Sequence, residues 1–258
     1  MAEGGNRSPV ESPRGLEERC VGGKWFGGWA WAQLPPAGGD EALRDRRAAI
    51  AELGDALREL VEDGSATEMP ADVLRQVAAQ VRQAAATLGQ QTRSRADLPS
   101  ADDLLGGYRM YNPVIGSGSA LAPPLRVEAA ENGVVGTCTL GLAYEGPPTF
   151  AHGGVSAMLL DQLLGHAVGL AGHPGMTVQL EIRYRAPVPL QTPLRLTGQV
   201  SEVDGRRVTA RGGLATAAEP DKVLVEAAGM FVGLRPEQAA RLFGGVHPDA
   251  TDPLVAHD

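Results

Sequence analysis

The chain has 258 residues, of which 43% are hydrophobic, which is enough apolar material for a well-buried core. Its formal net charge of −8 argues against a general nucleic-acid-binding protein, because such a protein would present a basic face. The two cysteines, Cys20 and Cys138, lie far apart and form no C-x-x-C pair, so neither a disulfide framework nor a redox pair is predicted. We therefore expect a globular protein of the reducing cytoplasm.

Neither a metal site nor a membrane span is predicted. The five histidines show no metal-ligand spacing with either cysteine, so we expect no metal and no cofactor. Glycines and polar residues interrupt every apolar run before it reaches the roughly 18 residues that a membrane-spanning helix needs. The protein is therefore expected to work without either.

Residues 1–39 are rich in glycine and proline and show no sustained periodicity, which predicts a flexible arm. Trp25, Trp29 and Trp31 are the exception within it, since they would suit docking on a surface or a partner, although the favoured interpretation is a tail that packs weakly in some states. The composition around them weakly resembles the hydrophobic region of a signal peptide, although Glu17 and the interspersed glycines argue against that interpretation.

Two amphipathic helices are predicted in residues 40–90. In the first, residues 40–64, apolar residues recur every seven positions at Leu43, Ile50 and Leu57. The second begins at Pro70 and carries an apolar stripe formed by Leu74, Val77, Val81, Ala84 and Leu88. Together they predict a helical hairpin that extends the core domain. Neither helix contains a set of residues that suggests chemistry.

Two strands are predicted after a connector. Residues 90–124 are polar and then rich in Gly, Pro and Ser, which indicates a segment lying across a surface. Residues 125–130 and 134–140 alternate in polarity on either side of Glu131-Asn132-Gly133. Because Asn-Gly is a strong hairpin signal, we expect these two strands to pair.

Residues 150–176 predict one long helix that is apolar on nearly all sides. Asp161 is the single carboxylate between Gly153 and Met176, and its neighbours are mainly leucine and valine. A lone acid in a buried helix loses hydration unless it is paired or functional. Asp161 is therefore the first candidate for chemistry.

His152-Gly153-Gly154 stands at the start of this helix. Glycines permit a sharp turn, and the N–H groups at a helix N-terminus have no partner within the helix, while the helix dipole favours negative charge there. Such a terminus suits an oxyanion. The alternative is that the two glycines simply fit a tight entry into a packed helix.

A further strand is predicted in residues 177–187, which alternate and are rich in β-branched residues. Four features are then in register: His-Gly-Gly, an Asp eight residues after the first glycine, a Ser or Thr sixteen residues after that Asp, and Tyr-x-x-Pro from Tyr184 to Pro187. With these features residues 108–234 resemble the hotdog-fold acyl-CoA thioesterases. The resemblance is closest to the PaaI-like branch of the 4-hydroxybenzoyl-CoA thioesterase superfamily.

More strands are predicted in residues 194–203, 207–216 and 223–234, followed by a C-terminal tail in residues 235–258. We interpret the order as β-β-α-β-β-β, an α+β fold in which a curved antiparallel five-stranded sheet surrounds the long central helix. This agrees with the hotdog fold that the resemblance implies, here with an N-terminal helical extension.

The resemblance implies hydrolysis of an acyl-CoA thioester, with roles for four residues. The Gly153 N–H would stabilise negative charge on the carbonyl oxygen, and His152 would hold the turn or contact the thioester. Asp161 would be the general base or the nucleophile, a choice that the sequence leaves open. Thr177 would orient the water or the carboxylate. Some relatives carry Asn or Gln where this chain has residues 146–149, Gly-Pro-Pro-Thr, so one supporting donor is unidentified.

The spacing between Gly153 and Asp161 predicts a homodimer. Eight residues correspond to about 12 Å along one helix, so a single substrate carbonyl cannot touch both. The helix N-terminus of one subunit must therefore lie beside the middle of the helix of another. The resemblance also allows a tetramer.

Coenzyme A is expected to bind through its phosphates. Candidate contacts are Arg183, Arg185 and Arg206, on or beside the strands, and the backbone of Gly154. Two other functions stay open. One is a non-catalytic acyl-CoA-binding or scaffold protein. The other is a hotdog hydratase or dehydratase, which typically carries an H-F-P-x-x-P or D-x-x-x-x-H motif, and we count neither motif as present.

Overall fold

The computed structural model describes residues 41–103, 109–123, 125–235, 237–238 and 241. The predicted arm of residues 1–39, with Cys20 and the three tryptophans, lies outside the described residues. So does most of the predicted tail of residues 235–258.

Two helices precede the sheet, α1 (Glu41–Ala66) and α2 (Ala71–Leu88), with Pro70 directly before the second. Both lie where the apolar periodicity predicts them. In the described chain they do not pack along each other as a hairpin would. The reason is that one face of α1 packs against the core domain and buries Arg47 and Gly54, whereas no residue of α2 is buried.

All six segments predicted as strands form strands of one sheet. The predicted order with five strands is wrong, because it allows three strands after the central helix where four of the predicted segments follow it. All neighbouring strands are antiparallel, in the order β1-β2-β4-β5-β6-β3. The last strand pairs on both sides, with β5 and with β3, and so belongs to the interior of the sheet. The strands are β1 (Arg126–Ala130), β2 (Gly133–Thr139), β3 (Met176–Tyr184), β4 (Pro193–Asp204), β5 (Arg207–Thr216) and β6 (Val225–Val232).

The central helix α3 (Gly153–Leu170) lies across one face of the sheet and contacts all six strands. Its leucines form the middle of the core, and four of them are fully buried: Leu159, Leu160, Leu163 and Leu164. Gly198 of β4 allows this close packing, since a Cβ there would lie 3.3 Å from the Leu163 side chain. One layer of sheet and one layer of helix therefore share a single apolar core.

Strand β3 forms one edge of the sheet, because it pairs with β6 alone. Most of its nine residues are exposed, including the apolar side chains of Met176, Val178 and Tyr184, at 42%, 59% and 55%. A long edge strand with exposed apolar side chains is a template for pairing with another strand. No helix of the described residues is both long enough and apolar enough to span a membrane.

Candidate active site

The start of α3 is organised by His152, which is the N-cap residue and adopts an extended backbone with φ −61° and ψ 134°. Its Nδ1 atom accepts a hydrogen bond from the Gly154 N–H at 3.1 Å. Because Nδ1 acts as the acceptor, the neutral ring carries its proton on Nε2. His152 thus holds the turn.

Tyr184, at the end of β3, reaches the same turn. Its hydroxyl donates to the Gly153 carbonyl oxygen at 2.9 Å. The peptide group between Gly153 and Gly154 is therefore held on both sides, by Tyr184 at the C=O and by His152 at the N–H. A Cβ at Gly153 would lie 3.3 Å from the tyrosine ring, so the close approach of the ring favours glycine here.

These contacts leave one N–H of the first helical turn unused. The Gly154 N–H bonds to His152, and the Val155 N–H bonds to the His152 carbonyl at 2.9 Å. Among the described residues the Gly153 N–H has no hydrogen-bond partner. It lies at the positive end of the dipole of an 18-residue helix, which favours an anion. Gly154, a predicted substrate contact, has no free N–H to offer.

Asp161 lies half-buried at the side of α3, and so is not enclosed by the leucine core as the sequence suggests. The leucines at positions 159, 160, 163 and 164 face the sheet, while Asp161 borders the edge strand. The Thr177 hydroxyl donates to its Oδ1 atom at 2.9 Å. The other carboxylate oxygen, Oδ2, has no partner among the described residues.

Within one chain the structure brings Asp161 to Thr177 and Gly153 to His152, but it does not bring the two pairs together. Both pairs lie along β3, with Thr177 near its beginning and Tyr184 at its end. Gly153 and Asp161 both lie in α3, where eight residues correspond to about 12 Å along the helix axis.

A polar network that the sequence interpretation missed lies elsewhere on α3. The Asn112 side-chain amide donates to Gln162 at 3.1 Å, and the His166 Nδ1 atom lies 2.8 Å from the Gln162 carbonyl oxygen. His166 is buried, and this burial lowers its pKa. The D-x-x-x-x-H pattern counted above as absent is present at Asp161-x-x-x-x-His166, and it could have drawn attention to His166. Five residues turn a helix through about 140°, so His166 does not share the side that carries Asp161.

The three candidate arginines already have partners. Arg183 pairs with Glu181 at 2.8 Å, and Arg185 pairs with Glu226 at 2.9 Å. The hydrogen bond from Arg185 lowers the pKa of Glu226, and both residues are exposed. Arg206 donates to the Gly233 carbonyl oxygen at 2.8 Å. Arg183 and Arg185 flank Tyr184 at the end of β3. Arg206 lies near the opposite end of this strand, because its partner Gly233 follows Val232, which pairs with Met176, the first residue of β3.

The described residues offer neither a metal site nor a reactive thiol beside these groups. Within the described ranges, no three His, Cys, Asp or Glu side chains come close enough together to hold a metal ion. Burial raises the pKa of the Cys138 thiol to about 12, so it stays protonated and is a poor nucleophile.

Residues 149–227 match the family model described as the thioesterase superfamily. A crystal structure of a thioesterase superfamily protein is 37% identical, covers 77% of this chain and 97% of its own, and superposes with a TM-score of 0.64.

Curated relatives match a shorter part of the chain. The acyl-coenzyme A thioesterase THEM4 of Xenopus laevis is 35% identical over 98 residues, 37% of this chain and 43% of the relative. The Mus musculus THEM4 is 30% identical over 98 residues, 38% of this chain and 42% of the relative. The chain thus spans less than half the length of these curated relatives. Sequence and structure together place it in the thioesterase superfamily, and its sheet and central helix confirm the predicted hotdog fold.

Proposed function

We propose that this protein hydrolyses acyl-CoA thioesters to a free acid and CoA. The observation that carries the proposal is that α3 presents an unused N–H at its start and a hydroxyl-bonded carboxylate at its middle, both along the open edge strand β3. Membership in the thioesterase superfamily and the names of the curated relatives support it.

In this mechanism the Gly153 N–H donates to the thioester carbonyl oxygen as negative charge develops on it. The donor costs little reorganisation, because Tyr184 and His152 already fix the adjoining peptide group. Preorganised donors of this kind contribute about 10²–10³ in rate each. His152 acts mainly by holding the turn, and its Nε2–H is a second donor to the substrate, because Nδ1 accepts from the Gly154 N–H.

Asp161 supplies the other half of the chemistry in one of two ways. As a general base it takes a proton from a water molecule while the water oxygen bonds to the thioester carbon, and the C–S bond then breaks to release CoA. As a nucleophile its oxygen displaces CoA and forms a mixed anhydride, which water hydrolyses. In either case Thr177 holds Oδ1 and leaves Oδ2 to react.

The distance of about 12 Å along α3 requires two copies of the chain for each site. Antiparallel pairing of two β3 edges about a two-fold axis near Leu180 would place the start of one strand beside the end of the other. Thr177 and Asp161 of one copy would then approach Tyr184 and Gly153 of the second. The exposed apolar side chains of β3 would be covered in this dimer.

The primary test measures thiol release from short, long and aromatic acyl-CoAs by the wild type and by Asp161→Asn. The variant keeps the shape of the side chain and loses its charge, so turnover should fall by about 10³ or more while folding is retained. Activity near that of the wild type would contradict the role of Asp161. Acyl-CoA binding without thiol release by the wild type would favour the non-catalytic alternative, and hydration of an enoyl-CoA would favour the hydratase.

The shared site has its own test in mixed dimers. Asp161→Asn and Gly153→Pro each remove one half of the site, so both homodimers should be nearly inactive. Co-expression produces heterodimers with one site in which both halves are intact, and their activity should recover towards half that of the wild type. Heterodimers that stay as inactive as the two parents would place both halves of the site within one chain.

A further inference from the structure

The N-terminal helix α1 is fixed to the core domain by charged side chains that bond to backbone groups. Arg58 donates to the carbonyl oxygens of Ser117 and Ser119 at 2.9 and 2.7 Å. Arg47 donates to the Ala101 carbonyl at 2.8 Å. These bonds fix α1 against Ala101, Ser117 and Ser119, so that a side chain near its C-terminal end can act as a fixed support.

Glu62 is such a side chain. Its two carboxylate oxygens accept hydrogen bonds from the Leu142 N–H at 2.8 Å and from the Ala143 N–H at 3.1 Å. These residues begin a single 3₁₀ turn, Leu142–Tyr144, whose first N–H groups have no partner within the turn. A carboxylate at this point satisfies both donors and complements their partial positive charge, and such charge-assisted bonds are strong.

The same turn supports the start of α3. The Tyr144 carbonyl accepts the His152 N–H at 2.9 Å, and the Glu145 side chain accepts the Thr149 N–H at 2.8 Å. Thr149 has a φ of 71°, an unfavourable conformation for a β-branched residue, and it persists only where its surroundings hold it. The segment between the 3₁₀ turn and His152 is therefore a closed loop whose two ends meet at Tyr144 and His152.

We propose that Glu62 is a positioning residue, which acts from the N-terminal extension through this loop to fix the direction of the Gly153 N–H. This inference rests on the proposed function, because it assigns a role in the same oxyanion site. It also assigns a function to α1, a helix that lies outside residues 149–227, the part that matches the family model.

The structure provides two independent ways to break the contact. Glu62→Ala removes the carboxylate. Gly141→Ala leaves it in place but adds a methyl group that collides with the Glu62 carboxylate, which can swing away because it is the end of a flexible side chain. Gly141 has a φ of −85°, which alanine adopts freely, so this substitution causes no backbone strain. Glu59→Ala, one turn earlier on α1, is the matched control, because Glu59 is exposed and it is the Glu62 carboxylate, and not that of Glu59, that accepts the N–H groups of the turn.

Both test variants should lower kcat for an acyl-CoA by about tenfold with KM little changed, because a misplaced donor weakens an interaction made in the transition state. The double variant should lose no more than the larger single loss, since Glu62→Ala makes room for the methyl group at position 141. Glu59→Ala should match the wild type. Equal kcat values for Glu62→Ala and Glu59→Ala, or losses that multiply in the double variant, would overturn the proposal.

Hydrogen exchange separates this inference from the proposed function. Backbone amides of residues 142–154 should exchange faster in Glu62→Ala than in Glu59→Ala, whether or not the wild type hydrolyses thioesters. A wild type without hydrolysis but with this change in exchange would leave the contact real and the proposed function wrong. Unchanged exchange in an active Glu62→Ala variant would leave the function standing and remove the role of Glu62.

Discussion

Two hydroxyl groups on one edge strand contact the central helix, and they do so in different ways. Thr177, near the beginning of β3, donates to the side chain of Asp161 at 2.9 Å. Tyr184, at the end of β3, donates to the backbone carbonyl of Gly153 at the same distance. The first bond touches a charged group that can react, whereas the second fixes the geometry of a peptide whose neighbouring N–H can bind an oxyanion.

Strand β3 thus positions both halves of the candidate site, the Asp161 carboxylate through Thr177 and the turn at Gly153 through Tyr184. A hydrogen bond to a charged group contributes about 1.5–3 kcal/mol, and one between neutral groups about 0.5–1.5 kcal/mol. We therefore expect loss of the Thr177 hydrogen bond to lower kcat more than loss of the Tyr184 hydrogen bond. Loss of the Gly153 N–H should lower kcat more than either.

After the loss of the Asp161 carboxylate, the largest effect is expected from removing the Gly153 N–H. Gly153→Pro deletes the donor at the first helical position, where proline is well tolerated, and His152 already has the extended backbone that precedes proline. Steady-state kcat should fall by about 10²–10³. Gly153→Ala is the matched control, since it crowds the Tyr184 ring in the same way and keeps the N–H. Equal losses in the two variants would show that crowding, and not the donor, is responsible.

A smaller loss is expected at the beginning of β3. Thr177→Ala removes the donor to the Asp161 carboxylate and should lower kcat by about tenfold or somewhat more. Thr177→Ser keeps the hydroxyl and should retain most of the activity. A loss for Thr177→Ala as large as that for Asp161→Asn would contradict the supporting role that we give to the hydroxyl.

At the other end of β3 the loss should be smaller still. Tyr184→Phe keeps the ring against Gly153 and deletes only the hydroxyl, so kcat should fall by a few-fold, up to about tenfold, with KM unchanged. Parallel kinetics on Thr177→Ala and Tyr184→Phe compare the two bonds directly. A larger effect for the tyrosine would reverse our ranking of the two ends.

The smallest effect concerns stability, away from both hydroxyls. Burial lowers the pKa of His166 below the ordinary value for histidine of about 6.5, so the unfolded chain binds a proton more readily than the folded one. Stability should therefore be full above pH 6.5 and fall as the pH drops below it, by at most about 1.4 kcal/mol per pH unit. Urea unfolding at pH 7.5 and 5.5 measures the change. His166→Gln should reduce it, and an unchanged pH dependence in this variant would assign the effect to other groups.

Local sequence patterns were sufficient for the main elements. The all-round apolar character of residues 150–176 predicts α3, and Asn132-Gly133, with Gly133 at a φ of 136°, predicts the first hairpin. The motif spacing from His152 to Pro187 carries the resemblance that points to the fold. That resemblance left open whether Thr177 orients the water or the carboxylate, and the structure shows its contact with the Asp161 carboxylate. All six strand segments, including the one at 223–234, were predicted, and only the total of five was wrong, because the predicted order left out one of the four segments after the helix. The order of the strands, in which β6 pairs with both β5 and β3, depends on distant neighbours that no local pattern indicates.

Packing partners were beyond the reach of those patterns. Helices α1 and α2 are both amphipathic in sequence, yet α1 is anchored through Arg47, Arg58 and Glu62 whereas α2 remains exposed. Asp161 looks enclosed among leucines, but the direction in which it leaves the helix puts it beside the edge strand.

The sequence by itself thus determined which segments are helix or strand and which residue types are suited to thioester chemistry, because these depend on period and spacing along the chain. Only the tertiary structure decided which groups those residues meet. The Tyr184 hydroxyl finds a carbonyl 31 residues away, and the Glu62 carboxylate finds an N–H 80 residues away. Such contacts follow from the register of β3 against α3 and the docking of α1, which are set by the burial of the whole core and by no local pattern.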